Sequence, residues 1–300
     1  MRPGSLLIIV FFLGACDAVQ PENSPILVVE AFVMPGEPLP EIILRQTTPL
    51  RSPYHLLDQS TAASGAQVDL RMKDELISYS MQDLGRYMPL DPVIAVPGAS
   101  LGLTVQWENQ SIMAESQVPP PISLDSISIS VSDAPVQGLL LDSVFIDPFL
   151  VDSLGLQALG AGAREGLVYL VEATLYWTDS SSQDSNEWWM RTQLLPNLGE
   201  DRRLSDYFLS PEVVQLESEI PSANSGQRSW SGAYAVPVGT RGDQVPGHEL
   251  RVSIIRCTQA YADFISGRSN PSETEPPSNI VGGVGIFAGL ALDTLTIEIQ

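Results

Sequence analysis

The feature that most restricts this chain is a period of two. In Leu101–Trp107 (LGLTVQW), Leu124–Val131 (LDSISISV) and Leu292–Ile299 (LDTLTIEI), apolar and polar residues alternate. That is the pattern of a strand with one face buried and one in water. Ile26–Val33 (ILVVEAFV) and Leu167–Trp177 (LVYLVEATLYW) are denser in β-branched and aromatic residues and read as buried strands. Further strand-like runs stand at Glu41–Leu44, Ala66–Met72, Leu76–Ser80, Ile112–Val118 and Glu249–Cys257, with Gly, Pro, Ser and Asp turn signals between runs. Helical patterning is confined to Arg203–Leu216 and Thr258–Ser266. Pro119-Pro120-Pro121 cannot continue a ladder and marks a boundary. The expected fold is therefore all-β. It begins with a β-sandwich, immunoglobulin-like or transthyretin-like, over 26–118, followed by a Pro-rich linker at 119–123. A larger β-rich domain with one or two short helices then fills 124–300.

The N-terminus reads as an address. Arg2 precedes the apolar run Leu6–Leu13, which ends in Gly14-Ala15-Cys16. One positive charge, a short apolar core and small residues before a cut site describe a secretory signal over 1–15. The run is shorter than the roughly 20 apolar residues that a spanning helix needs. Leu13-Gly14-Ala15-Cys16 resembles a bacterial lipobox. That resemblance implies cleavage before Cys16 and acylation of its thiol and its new amine. Residues 16–25 are then a lipidated tether, polar and Pro-containing. The other cysteine, Cys257, is left without an intramolecular partner.

Charge and residue inventory exclude several chemistries. The 36 acidic residues against 15 basic ones give a formal charge of −21, which repels phosphate backbones and removes nucleic acid from the partners. Lys73 is the only lysine, so lysine-dependent catalysis has one candidate. The two histidines, His55 and His248, are accompanied by no G-x-S-x-G elbow. No H-E-x-x-H or C-x-x-C is present, and Asp142, Asp147 and Asp152 have neither EF-hand nor β-helix spacing. No catalytic residue, metal ligand set or cofactor is assigned. Asn279–Gly289 (NIVGGVGIFAG) fails as a dinucleotide loop, because too little chain follows for a helix, a second strand and an acidic ribose ligand. Its glycines read instead as sites of close backbone approach. Trp188, Trp189 and Trp230 are the candidate ligand contacts, since adjacent strand residues face opposite ways and one of Trp188 and Trp189 can face outward; packing of both under loops is the alternative, and the favoured one.

The segment Ser269–Gly289 (SNPSETEPPSNIVGGVGIFAG) resembles the C-terminal signature, SNI.GG.G.F.G, of a family of Bacteroidota lipoproteins catalogued as domain of unknown function 4249. Leu27–Ala31 matches its "lVVEg" strand, with Ala31 where a Gly is commoner. Gly65–Leu70 matches "GA.V.l", Pro97–Val105 matches "PG..L.L.V", and Val118–Ile127 matches "vP.p..lDsi". The likeness spans nearly the whole mature chain. It implies an accessory role beside a TonB-dependent receptor at the outer membrane, on the periplasmic face or the cell surface, and no particular reaction. Asp125-Ser126-Ile127, Asp142-Ser143-Val144, Asp152-Ser153-Leu154 and Asp293-Thr294-Leu295 resemble the O-glycosylation sequon of exported Bacteroidota proteins, making Ser126, Ser143, Ser153 and Thr294 candidate acceptors. The expectation is a non-catalytic, lipid-anchored partner of a TonB-dependent transporter. A lipid-anchored hydrolase of a polymer and a structural surface protein are its alternatives.

Overall fold

A computed structural model of the chain describes residues 25–47, 61–141, 163–178, 187–197, 212–224, 226–268 and 277–300. These build an all-β fold with one short α-helix, as the period of two requires. The first strands are β1 (Leu27–Val33), β2 (Ile42–Gln46), β3 (Gln67–Met72), β4 (Glu75–Asp83), β5 (Arg86–Pro89), β6 (Ser100–Trp107) and β7 (Gln110–Gln117). After the prolines come β8 (Leu124–Val131), β9 (Val136–Leu141), β10 (Ala163–Thr178), β11 (Trp189–Asn197) and β12 (Glu212–Leu216). A 3-10 turn, Glu217–Glu219, leads to β13 (Ser222–Asn224), β14 (Gln227–Val238) and β15 (His248–Cys257). Helix α1 (Gln259–Arg268), β16 (Ile280–Val281) and the 16-residue β17 (Val284–Ile299) complete the chain.

One sheet of 12 strands, in the order β12-β11-β15-β17-β1-β2-β5-β4-β3-β6-β7-β16, runs through both halves of the molecule. The N-terminal half is not two opposed sheets. It is a single sheet curled round one core, because β17 and β16, which stand far apart in the strand order, are brought together by the turn between them. Inward residues of β1 to β7 fill that core, among them Leu27, Val29 and Val33 of β1, with Leu44, Leu70, Leu103 and Ile112. Ile280 and Phe287, from the far end of the chain, join them.

The closure of this barrel explains the glycine-rich segment. Asn279 offers its side-chain amide to Phe287 as a strand neighbour would: Nδ2 donates to the Phe287 carbonyl at 2.7 Å and Oδ1 accepts from its N–H at 3.0 Å. The same Nδ2 reaches the Glu115 carbonyl of β7 at 3.2 Å, so one side chain stitches β17 to β7. Gly289 lies where β17 crosses the start of the Pro-rich linker. A Cβ there would collide with the Gln117 carbonyl oxygen and stand 2.8 Å from Pro119 Cδ. Gly285, at φ +119°, passes so close to the backbone of Val29 that no side chain fits. The expected close backbone approach is what the structure shows.

The C-terminal half is a sandwich of two layers. β13, β14, β10 and β8, with β9 also on β10, face the layer of β12, β11, β15 and the second half of β17. Val171, Leu175 and Trp177 from one layer meet Met190, Leu250, Val252 and Ile254 from the other. Where β15 and β17 are covered on both sides, period-two burial disappears. Val252–Cys257 and Ile286–Ala291 are buried throughout, with α1 packed on the outer face beside Phe32. Part of the expected helix at Arg203–Leu216 is strand: Glu212–Leu216 pairs with β11, so its Val213 and Val214 serve an edge rather than a helical face. The rest of that stretch, 203–211, lies outside the described residues.

A buried ion pair fastens the linker to this sandwich. Arg256 gives Nη2 to Glu217 Oε1 at 2.6 Å and Nε to Oε2 at 2.9 Å, with the two side chains 1% and 3% exposed. Trp177 Nε1 donates to the same carboxylate, and Arg256 Nη1 to the Pro121 carbonyl at 2.9 Å. Removing one partner of such a pair strands a buried charge, typically at a cost of about 3–5 kcal/mol.

The seam makes a direct prediction. Gly289→Val destabilises the protein by about 2–4 kcal/mol through overpacking against a backbone that has nowhere to move. Gly242→Ala, whose added carbon meets nothing closer than Thr240 Oγ1 at 4.0 Å, leaves the urea midpoint unchanged. Equal midpoints for the two variants would refute the seam.

Candidate functional site

The described cleft lies at the far end of the C-terminal sandwich. It is an open depression of about 510 Å³ lined by Asn197, Gly247, His248, Glu249, Glu298, Ile299 and Gln300. Its wall follows from strand register. Asn197 ends β11 opposite Glu249, Glu249 stands opposite Glu298, and His248 opposite Ile299. Two carboxylates and a carboxamide are thereby set side by side across three strands. Like charges directly opposite one another are unfavourable in a sheet, and here both are open to water.

His248 forms the floor. Its Nδ1 lies 2.7 Å from the Pro246 carbonyl, which can only accept, so Nδ1 carries the proton. Nε2 is then an acceptor, and the Tyr234 hydroxyl donates to it at 2.6 Å. The rings meet edge to face at 5.6 Å. Burial holds the imidazole pKa below its ordinary value, opposed by the Pro246 hydrogen bond. Burial also pushes the Tyr234 phenol well above its ordinary range. The pair is therefore neutral. Both ring nitrogens are committed, the histidine's proton points to a carbonyl rather than a carboxylate, and its hydroxyl partner is a fully buried phenol. What this arrangement offers is a neutral, hydrogen-bonded floor beneath the exposed carboxylates of Glu249 and Glu298, not a proton relay to a nucleophile.

The other sequence candidates are dispersed. Trp188 and Trp230 are buried and Trp189 is half-buried. Trp230 packs inside the sandwich, and Trp189 lies under α1 with Val214 and Cys257. Ser126 and Thr294 are exposed on β8 and β17. The aspartates before them are used by the fold: Asp125 accepts from Thr178 Oγ1 at 2.9 Å, and Asp293 from the Leu124 N–H at 2.8 Å. Cys16, His55, Ser143, Ser153, Asp142, Asp147 and Asp152 lie outside the described residues. Arg241-Gly242-Asp243, which spells an adhesion tripeptide, is a self-contained turn. Asp243 accepts from the Thr240 hydroxyl and from the N–H groups of Thr240 and Gly239, and these bonds hold its carboxyl below the usual range. Cys257 is a free, buried thiol whose pKa burial pushes up to about 12, the chemistry of a small core residue rather than of a nucleophile. Among the described residues no three His, Cys, Asp or Glu side chains gather as a metal site.

Tyr234, Glu217 and Arg256 carry the main buried polar contacts, and the sequence did not single them out. Each finds its partner only through folding, across 14 residues for Tyr234 and His248 and 39 for Glu217 and Arg256. No spacing rule reaches that far.

A family model described as a domain of unknown function, DUF4249, matches residues 17–296. No curated protein and no solved structure matches the chain.

His248 gives the cleft a pH signature. The unfolded chain binds the imidazole proton more tightly than the folded one. Stability is therefore unaffected above the ordinary imidazole range and falls as pH drops below about 6.5. Thermal melts between about pH 7.5 and pH 5.5 should show a smaller loss in His248→Gln than in the parent chain. Parallel curves would mean that His248 is protonated freely in the folded state.

Proposed function

The chain belongs to the DUF4249 family, and from that membership we propose that it is an outer-membrane lipoprotein, held by acyl chains on Cys16, that serves a TonB-dependent transporter as a non-catalytic accessory or ligand-binding subunit. The observation that carries this reading is the segment Leu6–Cys16, an apolar run too short to span a bilayer, ending in small residues and a cysteine. Acyl chains contribute about 0.8 kcal/mol per buried CH₂, and two or more anchor stably where one does not. The polar stretch 17–24 separates that cysteine from the first described residues. No described helix is long and apolar enough to cross a membrane.

The cleft supports the non-catalytic half of the reading. A cleft of this size falls within the range of about 300–1,000 Å³ common to small-molecule sites. Its lining presents the carboxylates of Glu249 and Glu298 beside the Asn197 carboxamide, suited to a ligand rich in hydrogen-bond donors. The polymer-hydrolase alternative needs an acid and a reactive hydroxyl beside His55 or His248; at His248, Tyr234 and Pro246 occupy both ring nitrogens, and His55 lies outside the described residues.

Two measurements test the proposal. In membrane fractionation of the native host, Cys16→Ala moves the protein into the soluble fraction; continued tight association would refute lipid anchoring. Purification from detergent-solubilised membranes recovers a TonB-dependent receptor with the wild-type chain, and repeated recovery of the chain alone would refute the partnership.

A further inference from the structure

The two ends of the molecule differ in a way that orients it. Strand β1 starts, and the β4–β5 and β6–β7 turns fall, at one end of the N-terminal barrel, while the linker to the sandwich leaves from the other. Strand β17 runs from the first end, through the seam, to Ile299 in the cleft. Its 16 residues give a contour of about 50 Å. The cleft is thus at the end of the molecule remote from the point where the chain enters the fold.

That point is fixed. Gln110 Nε2 donates to the Pro25 carbonyl at 2.8 Å, and Ile26 exchanges hydrogen bonds with Thr47, its N–H to Oγ1 and its carbonyl from the Thr47 N–H, both at 2.9 Å. Nine peptide steps back lies Cys16, so an acylated Cys16 holds this end within about 30 Å of the bilayer. The same end carries exposed apolar side chains: Ile26 (48%), Leu84 (45%), Met113 (53%) and Val281 (64%). Met113 and Val281 are cross-strand partners, which puts their side chains together on the outer face. Leu76 (66%) and Leu90 (64%) are exposed too, towards the other end of the barrel, so the entry of the tether together with the Met113–Val281 pair is what marks this end as an interaction surface. Asp83 and Glu108 share the rim with Arg86, which stands opposite Asp83; this mixed edge has no basic cluster to hold anionic lipid and suits a zwitterionic one.

We propose that this barrel end is the face applied to the lipid headgroups, with Ile26, Leu84, Met113 and Val281 as its apolar rim and the His248 cleft presented at the opposite tip. The proposal rests on the lipidation of Cys16 proposed above. An anchored chain lying on its side would leave the rim in water; standing on this end buries it and holds the cleft clear of the membrane for a ligand or a receptor.

The test uses full-length, lipidated protein with a bimane fluorophore on Val281→Cys, on Met113→Cys or, as the far-end control, on Glu298→Cys. Cys257 is buried and does not take the label. Each protein is added to phosphatidylcholine vesicles with brominated acyl chains and recovered by flotation. The expected result is flotation of all three, with the labels at 281 and 113 losing most of their emission and the label at 298 keeping it. Flotation with all three labels equally bright, or equally dimmed, overturns the orientation while leaving the anchor intact. A rim brighter than the far end, as cover by a second copy of the chain would give, overturns it too. Failure to float overturns the anchor itself. A further label on Ile26→Cys, outside the β7–β16 pairing and expected to dim with the other two rim labels, guards against a substitution at 113 or 281 disturbing that pairing.

Discussion

The backbone of β17 cannot be satisfied within either half of the molecule. Its first six residues pair in parallel with β1, and its last ten pair antiparallel with β15. Buried peptide groups left without partners cost free energy comparable to a lost hydrogen bond each. The barrel is therefore incomplete without the last residues of the chain, and the sandwich is incomplete without a strand that has already passed through the barrel. From that shared strand the rest follows: a continuous 12-stranded sheet, a core that draws Phe287 beside Leu27, and α1 laid over the junction with Tyr261 edge to face against Phe32 at 5.8 Å.

The residues that carry the family resemblance are mostly parts of this device. Asn279 replaces a missing strand neighbour, Gly285 and Gly289 let β17 lie against other backbone, and Phe287 fills the barrel. Their chemistry is that of close packing. A signature of this kind reports how the chain folds and does not by itself name an activity. A family can keep such a fold while presenting different ligands at the far tip.

Legibility followed burial. Strands with one face in water, such as Leu101–Trp107 and Leu124–Val131, announced themselves by alternation and fall where the sequence placed them. The first half of β17 did not. It is covered on both faces, and Gly285, Ala288 and Gly289 interrupt Val284, Ile286, Phe287 and Leu290, so it shows no alternation. β14 was hidden because Ser231-Gly232-Ala233 separates Trp230 from Tyr234 and Val236, and Pro237 reads as a break in the strand. The helical reading of Arg203–Leu216 gave weight to spacing over β-branching at Val213 and Val214, which pairing with β11 decided as strand. The burial of Trp188 and the half-burial of Trp189 agree with packing under neighbouring elements, the reading the sequence favoured over ligand contact. Size alone does not say whether an aromatic side chain faces water or, like Trp177 and Trp188, is enclosed beside Glu217. Cleft and ion pair alike are assembled across the chain, and local pattern does not encode them.

If β17 makes the barrel and the sandwich interdependent, they open together. Native-state hydrogen exchange, followed by mass spectrometry on peptides covering Leu27–Val33, Val284–Gly289 and Val252–Cys257, measures that directly. The structure predicts that the most protected amides of all three segments share one opening free energy, equal to that of global unfolding. If the barrel segments exchanged through a cheaper opening while Val252–Cys257 stayed protected, the two halves would be separable, and the shared strand would not be what holds them.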